Sequence, residues 1–147
     1  MRFSVKSEYA VTAVLDMALN ADKGPVHVRA IARRQAIPVR FLEQVMASLK
    51  KASLVDSIRG AQGGYVLARD PKTISIVQIV EAVDGPITPM DCTVGTFEYR
   101  CLQMDECVIK EVWEDVRKAI TGVLSKVSIE DMCKRKMEKE KTVMYHI

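Results

Sequence analysis

A glycine-rich turn between two short β-prone segments restricts the fold of this chain more than any other feature. The β-prone segments are residues 54–58 and 65–67, and residues 59–64 between them read RGAQGG. Two such segments joined by a short glycine-containing turn predict a β-hairpin. The run lacks the strand-to-helix setting and the Lys-Ser/Thr ending of a nucleotide-phosphate loop, so we discount that alternative.

Three short helices are predicted ahead of the hairpin. Apolar residues recur three and four positions apart in residues 7–20, 28–36 and 38–51. The last two segments are separated by the tight break Ile37-Pro38, which is typical of a helix-turn-helix. A capping box at Ser75 and Gln78 predicts one more helix after the hairpin. We therefore predict a mainly α fold with a small β wing, and a winged helix-turn-helix DNA-binding domain over residues 1–84.

The segment of residues 38–51 has one apolar and one polar face. We expect the inner face to hold Phe41, Leu42, Val45, Met46 and Leu49, and the outer face to hold Arg40, Glu43, Gln44, Ala47, Ser48 and Lys51. Arg and Gln side chains form bidentate hydrogen bonds with guanine and adenine edges, and Glu accepts from cytosine. The outer face therefore predicts base recognition, although any surface helix has a polar face.

The predicted wing offers a second set of candidate DNA contacts. Arg59 stands at its start, where its side chain could enter a narrow minor groove or contact phosphate. Gly63 and Gly64 would let the backbone come close to a partner. We assign Arg40, Glu43, Gln44, Ser48, Arg59, Gly63 and Gly64 to binding of double-stranded DNA.

Charge is distributed unevenly along the chain. Residues 1–69 hold 11 basic and 5 acidic side chains, a net charge of +6, whereas residues 70–147 hold 11 basic and 14 acidic ones, a net charge of −3. A polyanion would be attracted to the first part and repelled by the second. Nucleic acid should therefore bind the N-terminal domain.

Three cysteines follow this domain in the spacing C-x8-C-x5-C. They are Cys92, Cys101 and Cys107, and they fall in a stretch with no periodicity that we predict to be a cysteine-bearing cluster loop over residues 85–107. Clustered thiolates can bind one soft metal centre; unpaired buried cysteines and a redox-active thiol pair are the alternatives. Structural zinc would require a fourth Cys or His, but Cys133 is far along the chain and no His is near. The incomplete set of three therefore favours an iron-sulfur cluster.

A long amphipathic helix should follow the cysteines. Its apolar residues keep spacings of three and four over about five turns, which is too long a stripe for the first domain to cover. We predict a dimerisation helix over residues 105–127 and a homodimer. Residues 128–147 should form a short helix, capped by Ser128 and Asp131, and a frayed charged tail.

The composition excludes several classes of protein. No uncharged apolar run of about 18 residues is present, and charge interrupts the start of the sequence, so we expect a cytoplasmic protein that does not enter the membrane. The only histidines are His27 and His146, and no acid–base or nucleophile pair is visible, so we do not expect an enzyme.

Several segments together resemble a known family. Residues 9–16 (YAVTAVLD), 41–44 (FLEQ) and 57–65 (SIRGAQGGY), with the three cysteines, resemble the Rrf-type transcription regulators, and within them most closely the iron-sulfur cluster regulators. The resemblance covers residues 1 to about 130. It implies a homodimeric winged-helix regulator whose cluster is held by the three cysteines. By matched position, Glu43, Gln44 and Arg59 would read or position DNA, with Arg40 and the wing glycines nearby.

The resemblance also bears on the fourth cluster ligand. Iron-sulfur regulators of the enteric type carry a histidine three residues after the last cysteine, and Lys110 occupies that position here. The nitric-oxide sensors of the family use a carboxylate near the start of the first helix, where Glu8 stands. We therefore expect Glu8 of the partner subunit as the fourth ligand, and a 2Fe-2S rather than a 4Fe-4S cluster.

The leading hypothesis is an iron-sulfur cluster-sensing regulator of cluster biogenesis genes. One alternative is a nitric-oxide-responsive or cluster-free regulator of the same family. Another, of a different class, is a zinc-stabilised protein-interaction module with no role in DNA binding.

Overall fold

The computed structural model describes residues 2–93 and 107–146. Within these residues, three α-helices precede a two-stranded hairpin and three follow it. The elements are α1 (Val5–Leu19), α2 (Val28–Gln35), α3 (Val39–Lys51), β1 (Val55–Ile58), β2 (Gly64–Leu67), α4 (Ile76–Asp84), α5 (Val108–Ser125) and α6 (Ile129–Tyr145). This order confirms the mainly α fold with a small β wing.

The hydrophobic core lies where α1, α3 and α4 meet. Helix α1 contributes small residues, Ala10 and Ala13, beside the larger Met17, and all three are buried. Small side chains on one face let neighbouring helices approach closely. The core also takes Leu42, Val45, Met46 and Leu49 from α3, and Ile76, Val77, Ile79 and Val80 from α4.

The hairpin is attached to the helical part through the segment before α2. Strands β1 and β2 pair antiparallel, with Val55 opposite Leu67 and Ile58 opposite Gly64. On the other side of β2, the Val26 N–H donates to the Tyr65 carbonyl at 2.9 Å, and the Tyr65 N–H donates to the Val26 carbonyl at 2.8 Å. The wing therefore has a fixed position beside the helix-turn-helix.

The turn between α2 and α3 is held in place by a buried carboxylate of α1. Asp16 is only 3% exposed. Its two oxygens accept from Arg34 Nε at 3.0 Å and Nη2 at 2.5 Å, and from Gln35 Nε2 at 2.8 Å. Ala36 follows in the left-handed region, with φ 53°, and α2 ends there. A buried carboxylate thus fixes the end of α2 at the point where the chain turns into α3.

The C-terminal segment differs from the prediction of a short helix and a frayed tail. The capping box of Ser128 and Asp131 is present, but α6 continues for 17 residues to Tyr145. Lys, Arg, Glu and Met, which dominate this segment, have high helix propensity. Ion pairs four residues apart also support it, Glu130 with Lys134 at 2.9 Å and Lys136 with Glu140 at 3.4 Å.

The predicted dimerisation helix of residues 105–127 is shorter in the structure. Cys107 is not helical and occupies the N-cap position of α5, which ends at Ser125; residues 105 and 106 lie outside the described residues. The chain then returns to the core, where the Ile129 N–H donates to the Ile74 carbonyl at 2.9 Å. In the described part of the chain, no helix combines the length and apolar character needed to cross a membrane.

We expect Arg34→Ala to destabilise the protein. The substitution leaves the Asp16 carboxylate buried without its charged donor, which should lower the free energy of unfolding by about 1 to 3 kcal/mol. Arg33→Ala, an exposed neighbour on the same helix, should change it by less than about 0.5 kcal/mol. Urea unfolding of both variants measures the difference, and equal effects would contradict a stabilising role for the pair.

Candidate nucleic-acid interface and cysteine loop

The outer face of α3 is exposed, as the sequence predicts. Arg40, Glu43 and Gln44 are exposed and Ser48 is half-buried. Opposite them, the core residues of α3 are almost fully buried. The helix therefore presents charged and amide side chains to solvent over its first two turns, which is the part of a recognition helix that reaches base edges.

Phe41 corrects the predicted inner face of α3. It was expected in the core, but its side chain is 48% exposed. At 100° per residue, position 41 lies about 40° beyond Val45, the nearest edge of the buried arc. Its apolar character predicts burial with the core residues, but the helical geometry puts Phe41 at the border between the inner and the outer face of α3.

The wing glycines approach their own chain. A Cβ on Gly63 would collide with the Ile58 carbonyl oxygen, and one on Gly64, whose φ is +148°, would lie 2.8 Å from the Val26 carbonyl group. These positions accept only glycine because the backbone packs closely there. The glycines thus shape the wing that carries the exposed Arg59, and their contact with DNA stays a prediction.

Helix α3 and the wing are linked by a side-chain contact. Lys50 Nζ, near the end of α3, donates to Ser57 Oγ of β1 at 2.5 Å. Arg29 and Arg33 are exposed on α2 and add positive charge to the surface of the helix-turn-helix. Sequence analysis counted these arginines only in the net charge. Their spacing of four residues, on the side opposite the buried Ile31 and Ala32, was the signal that could have identified them.

Two of the three predicted cluster ligands lie on elements that pack together. Cys92 is in the short 3-10 helix Asp91–Thr93, which contacts α5. Cys107 occupies the N-cap position of α5, at the positive end of the helix dipole. Both thiols are half-buried, and among residues 2–93 and 107–146 neither forms a disulfide. Cys101 lies outside the described residues.

These two thiols suit a soft metal centre. Each is partly accessible, and each stands on backbone held by its own contacts; the buried Thr93 hydroxyl, for example, donates to the Met90 carbonyl at 2.7 Å. Residues 2–93 and 107–146 contain no group of three or more metal-ligating side chains, so these residues alone do not complete a site.

Cys133 differs from the loop cysteines in its environment. It lies on α6 and packs against the hydrophobic core. Burial, helped by the nearby Glu130 carboxylate, raises the pKa of the Cys133 thiol above its ordinary value. A neutral, packed thiol is a poor metal ligand.

Glu8 is exposed in the first turn of α1. This turn is bound to the end of α4, because Ser4 Oγ and Ser7 Oγ each donate to Asp84 at 2.5 Å. Burial would raise the pKa of Asp84, but the hydrogen bonds from Ser4 and Ser7 outweigh it and lower the pKa below its ordinary value. Asp84 thus holds the first turn of α1 at the end of α4, directly before the cysteine-bearing loop begins.

Comparison with known proteins identifies the family. Residues 3–135 match the Rrf2 family, described as an iron-dependent transcriptional regulator. The chain belongs to the Rrf2 family. It is therefore a DNA-binding transcription regulator and not an enzyme, as the sequence predicts.

Named relatives and solved structures agree with this assignment. The chain is 39% identical to the HTH-type transcriptional regulator IscR of Photorhabdus laumondii over 132 residues, which are 90% of this chain and 79% of that protein. The structure of T. potens IscR is similar, with 38% identity, a TM-score of 0.77 and coverage of 95% of this chain and 90% of that one. The structure of CymR, the global cysteine regulator of B. subtilis, has 32% identity, a TM-score of 0.76 and coverage of 92% and 98%.

Proposed function

We propose that this Rrf2 protein is a cytoplasmic homodimer whose binding to operator DNA depends on an iron-sulfur cluster, and that it controls genes of cluster biogenesis. The observation that carries the proposal is the position of Cys92 and Cys107. Their two elements contact each other directly after the helix-turn-helix domain. The similarity to IscR proteins supports the same function.

On the DNA side, α3 is the proposed recognition helix. Gln44 and Arg40 have the side chains that bind adenine and guanine edges in the major groove, and Glu43 can accept from cytosine. Ser48 lies one turn further along the same face. Arg59 of the wing is the proposed minor-groove or phosphate contact, with Gly63 and Gly64 shaping the turn beside it.

The proposed dimer rests on the exposed apolar stripe of α5. Ile109, Val112 and Val123 are each more than 60% exposed, and they recur at helical spacings along one side of the helix. Exposed apolar side chains spread along one side of a helix mark an interaction surface. A second copy of α5 offers the matching surface, since a two-fold interface joins the same patch on both subunits.

The proposed cluster is held by Cys92, Cys101 and Cys107, with Glu8 of the partner subunit as the fourth ligand. Such a cluster, with a weakly held carboxylate as one ligand, would supply a centre open to oxygen or nitric oxide. The protein residues hold it between the DNA-binding domain and the dimer helix. We expect a 2Fe-2S rather than a 4Fe-4S cluster.

A cluster-free regulator is the second candidate. The similarity to CymR, which is named for cysteine regulation, favours it. The two candidates differ in whether the thiols bind iron, so anaerobic purification with iron and sulfide analysis separates them.

Replacing any loop cysteine should remove the cluster. Cys92→Ala, Cys101→Ala and Cys107→Ala should each lose the visible absorption of the anaerobically purified protein, whereas the control Cys133→Ala should keep it, because Cys133 packs against the core. Operator affinity should differ between cluster-bound and cluster-free forms by about 1 to 3 kcal/mol. If no cysteine variant changes colour or binding, the sensing proposal is wrong.

Glu8→Ala should keep the cluster but shorten its lifetime in air.

DNA contacts of two kinds should respond differently to substitution. Gln44→Ala should relax sequence preference, because a bidentate base contact contributes roughly 1 to 3 kcal/mol of discrimination. Arg59→Ala, if Arg59 contacts phosphate, should weaken binding to all sequences and reduce the salt dependence by about one unit of slope. Fluorescence anisotropy with operator and shuffled duplexes measures both. Sequence-independent losses in both variants would contradict base reading by α3.

A charge on the α5 stripe should separate the subunits. Val112→Glu would bury an unpaired carboxylate in the dimer interface, which costs several kcal/mol, so the variant should sediment as a monomer and lose tight operator binding. Lys118→Glu places the same carboxylate on the side of α5 opposite the stripe, which is also exposed. This variant should remain a dimer. A dimeric Val112→Glu variant would show that α5 packs elsewhere.

A further inference from the structure

Phe41 is a large apolar side chain on an otherwise polar recognition surface. Nearly half of it, 48%, is exposed, although it is the third residue of α3, directly before the fully buried Leu42. Exposed aromatic side chains lose favourable free energy in water and regain it when a partner covers them. Single exposed apolar residues are common on protein surfaces, so the inference depends on where Phe41 lies on α3.

Helical geometry places Phe41 beside the proposed base-reading residues. Residues three and seven positions apart share one side of a helix, so Phe41, Gln44 and Ser48 form one row along the outer edge of α3. The row begins in the first turn of the helix, and N-terminal residues of a recognition helix contact base edges. Phe41 thus lies on the part of α3 that would face a base pair in the major groove.

The chemistry of the major groove limits what can cover this ring. Every base edge there presents hydrogen-bond donors or acceptors, and the one apolar group is the 5-methyl of thymine. Phe is among the side chains that contact this methyl. The proposed dimer stripe, by contrast, lies on α5, so a second subunit does not account for the exposure of Phe41.

We infer that Phe41 is a specificity-determining residue that packs against the 5-methyl group of a thymine in the operator. Cβ atoms of residues three apart on a helix are separated by about 5 to 6 Å, and base pairs rise by about 3.4 Å. The thymine should therefore lie one or two base pairs from the base that Gln44 contacts. The inference rests on the proposed role of α3 in base reading.

Deoxyuridine provides a direct test, because it lacks only the 5-methyl group. The parent protein first selects its operator from a random duplex library, and each thymine of that duplex is then replaced in turn by deoxyuridine. At one thymine in each half-site, the replacement should weaken parent binding about fourfold, the effect expected when one methyl-sized group leaves an apolar contact. Replacement at other thymines should change affinity by less than about 1.5-fold.

The variant Phe41→Ala completes the comparison. It should bind the thymine duplex more weakly than the parent and should not distinguish thymine from deoxyuridine at that position. Phe3→Ala is the matched control, since Phe3 is similarly exposed, at 43%, but lies ahead of α1 and outside the helix-turn-helix. It should keep the full parent response to deoxyuridine. Circular dichroism establishes that both variants fold.

Three results would overturn the inference. The first is a parent that binds all deoxyuridine duplexes as tightly as the operator, which needs no variant to observe. The second is a Phe41→Ala variant that keeps the parent's fourfold response. In either case, relaxed preference in Gln44→Ala would leave base reading by α3 intact, so only the role of Phe41 fails. If the parent selects no preferred duplex, both proposals fail together.

Discussion

Asp16 is a carboxylate on α1 that is almost completely removed from solvent, and the geometry of the DNA-binding domain depends on how it is neutralised. Arg34 and Gln35 donate three hydrogen bonds to it. Removing a carboxylate from water is costly unless it is paired and hydrogen-bonded, so the end of α2 can take one position relative to α1. The left-handed residue Ala36 follows at once, and the direction of α3 is set from there. A weak, adaptable contact at this place would leave α3, the proposed recognition helix, poorly oriented.

Helix α1 carries a second polar anchor at its other end. Ser4 and Ser7 donate to Asp84 at the end of α4, and they hold the pKa of that carboxyl below its ordinary value against the effect of burial. The cysteine loop departs directly after Asp84. One rigid helix therefore contacts both the origin of the loop and, through Asp16, the helix-turn-helix. This arrangement supports the proposed regulation, because a ligand that binds two conformations with different affinity shifts their equilibrium, and α1 contacts the regions of both proposed sites.

The periodicity of apolar residues predicted most of the fold correctly, and its two failures have physical reasons. Phe41 was assigned to the core because it is apolar, yet it lies beyond the edge of the buried arc of α3. The charge of residues 134–141 predicts a frayed tail, yet helix propensity and pairs such as Glu130–Lys134 continue α6 to Tyr145. Hydrophobicity shows which residues favour burial, whereas the width of a contact between helices decides which of them are buried.

The sequence by itself determined the winged helix-turn-helix, the family and the three candidate cluster cysteines, because these depend on spacing, turn residues and local motifs along the chain. Only the tertiary structure decided that Gly64 is required by the close approach of Val26, and that Asp16, Arg34 and Gln35 form one buried group. It also decided that Cys133 packs against the core while Cys92 and Cys107 lie on contacting elements. These facts concern residues distant in sequence, and the packing of helices that brings them together is not encoded in any local pattern.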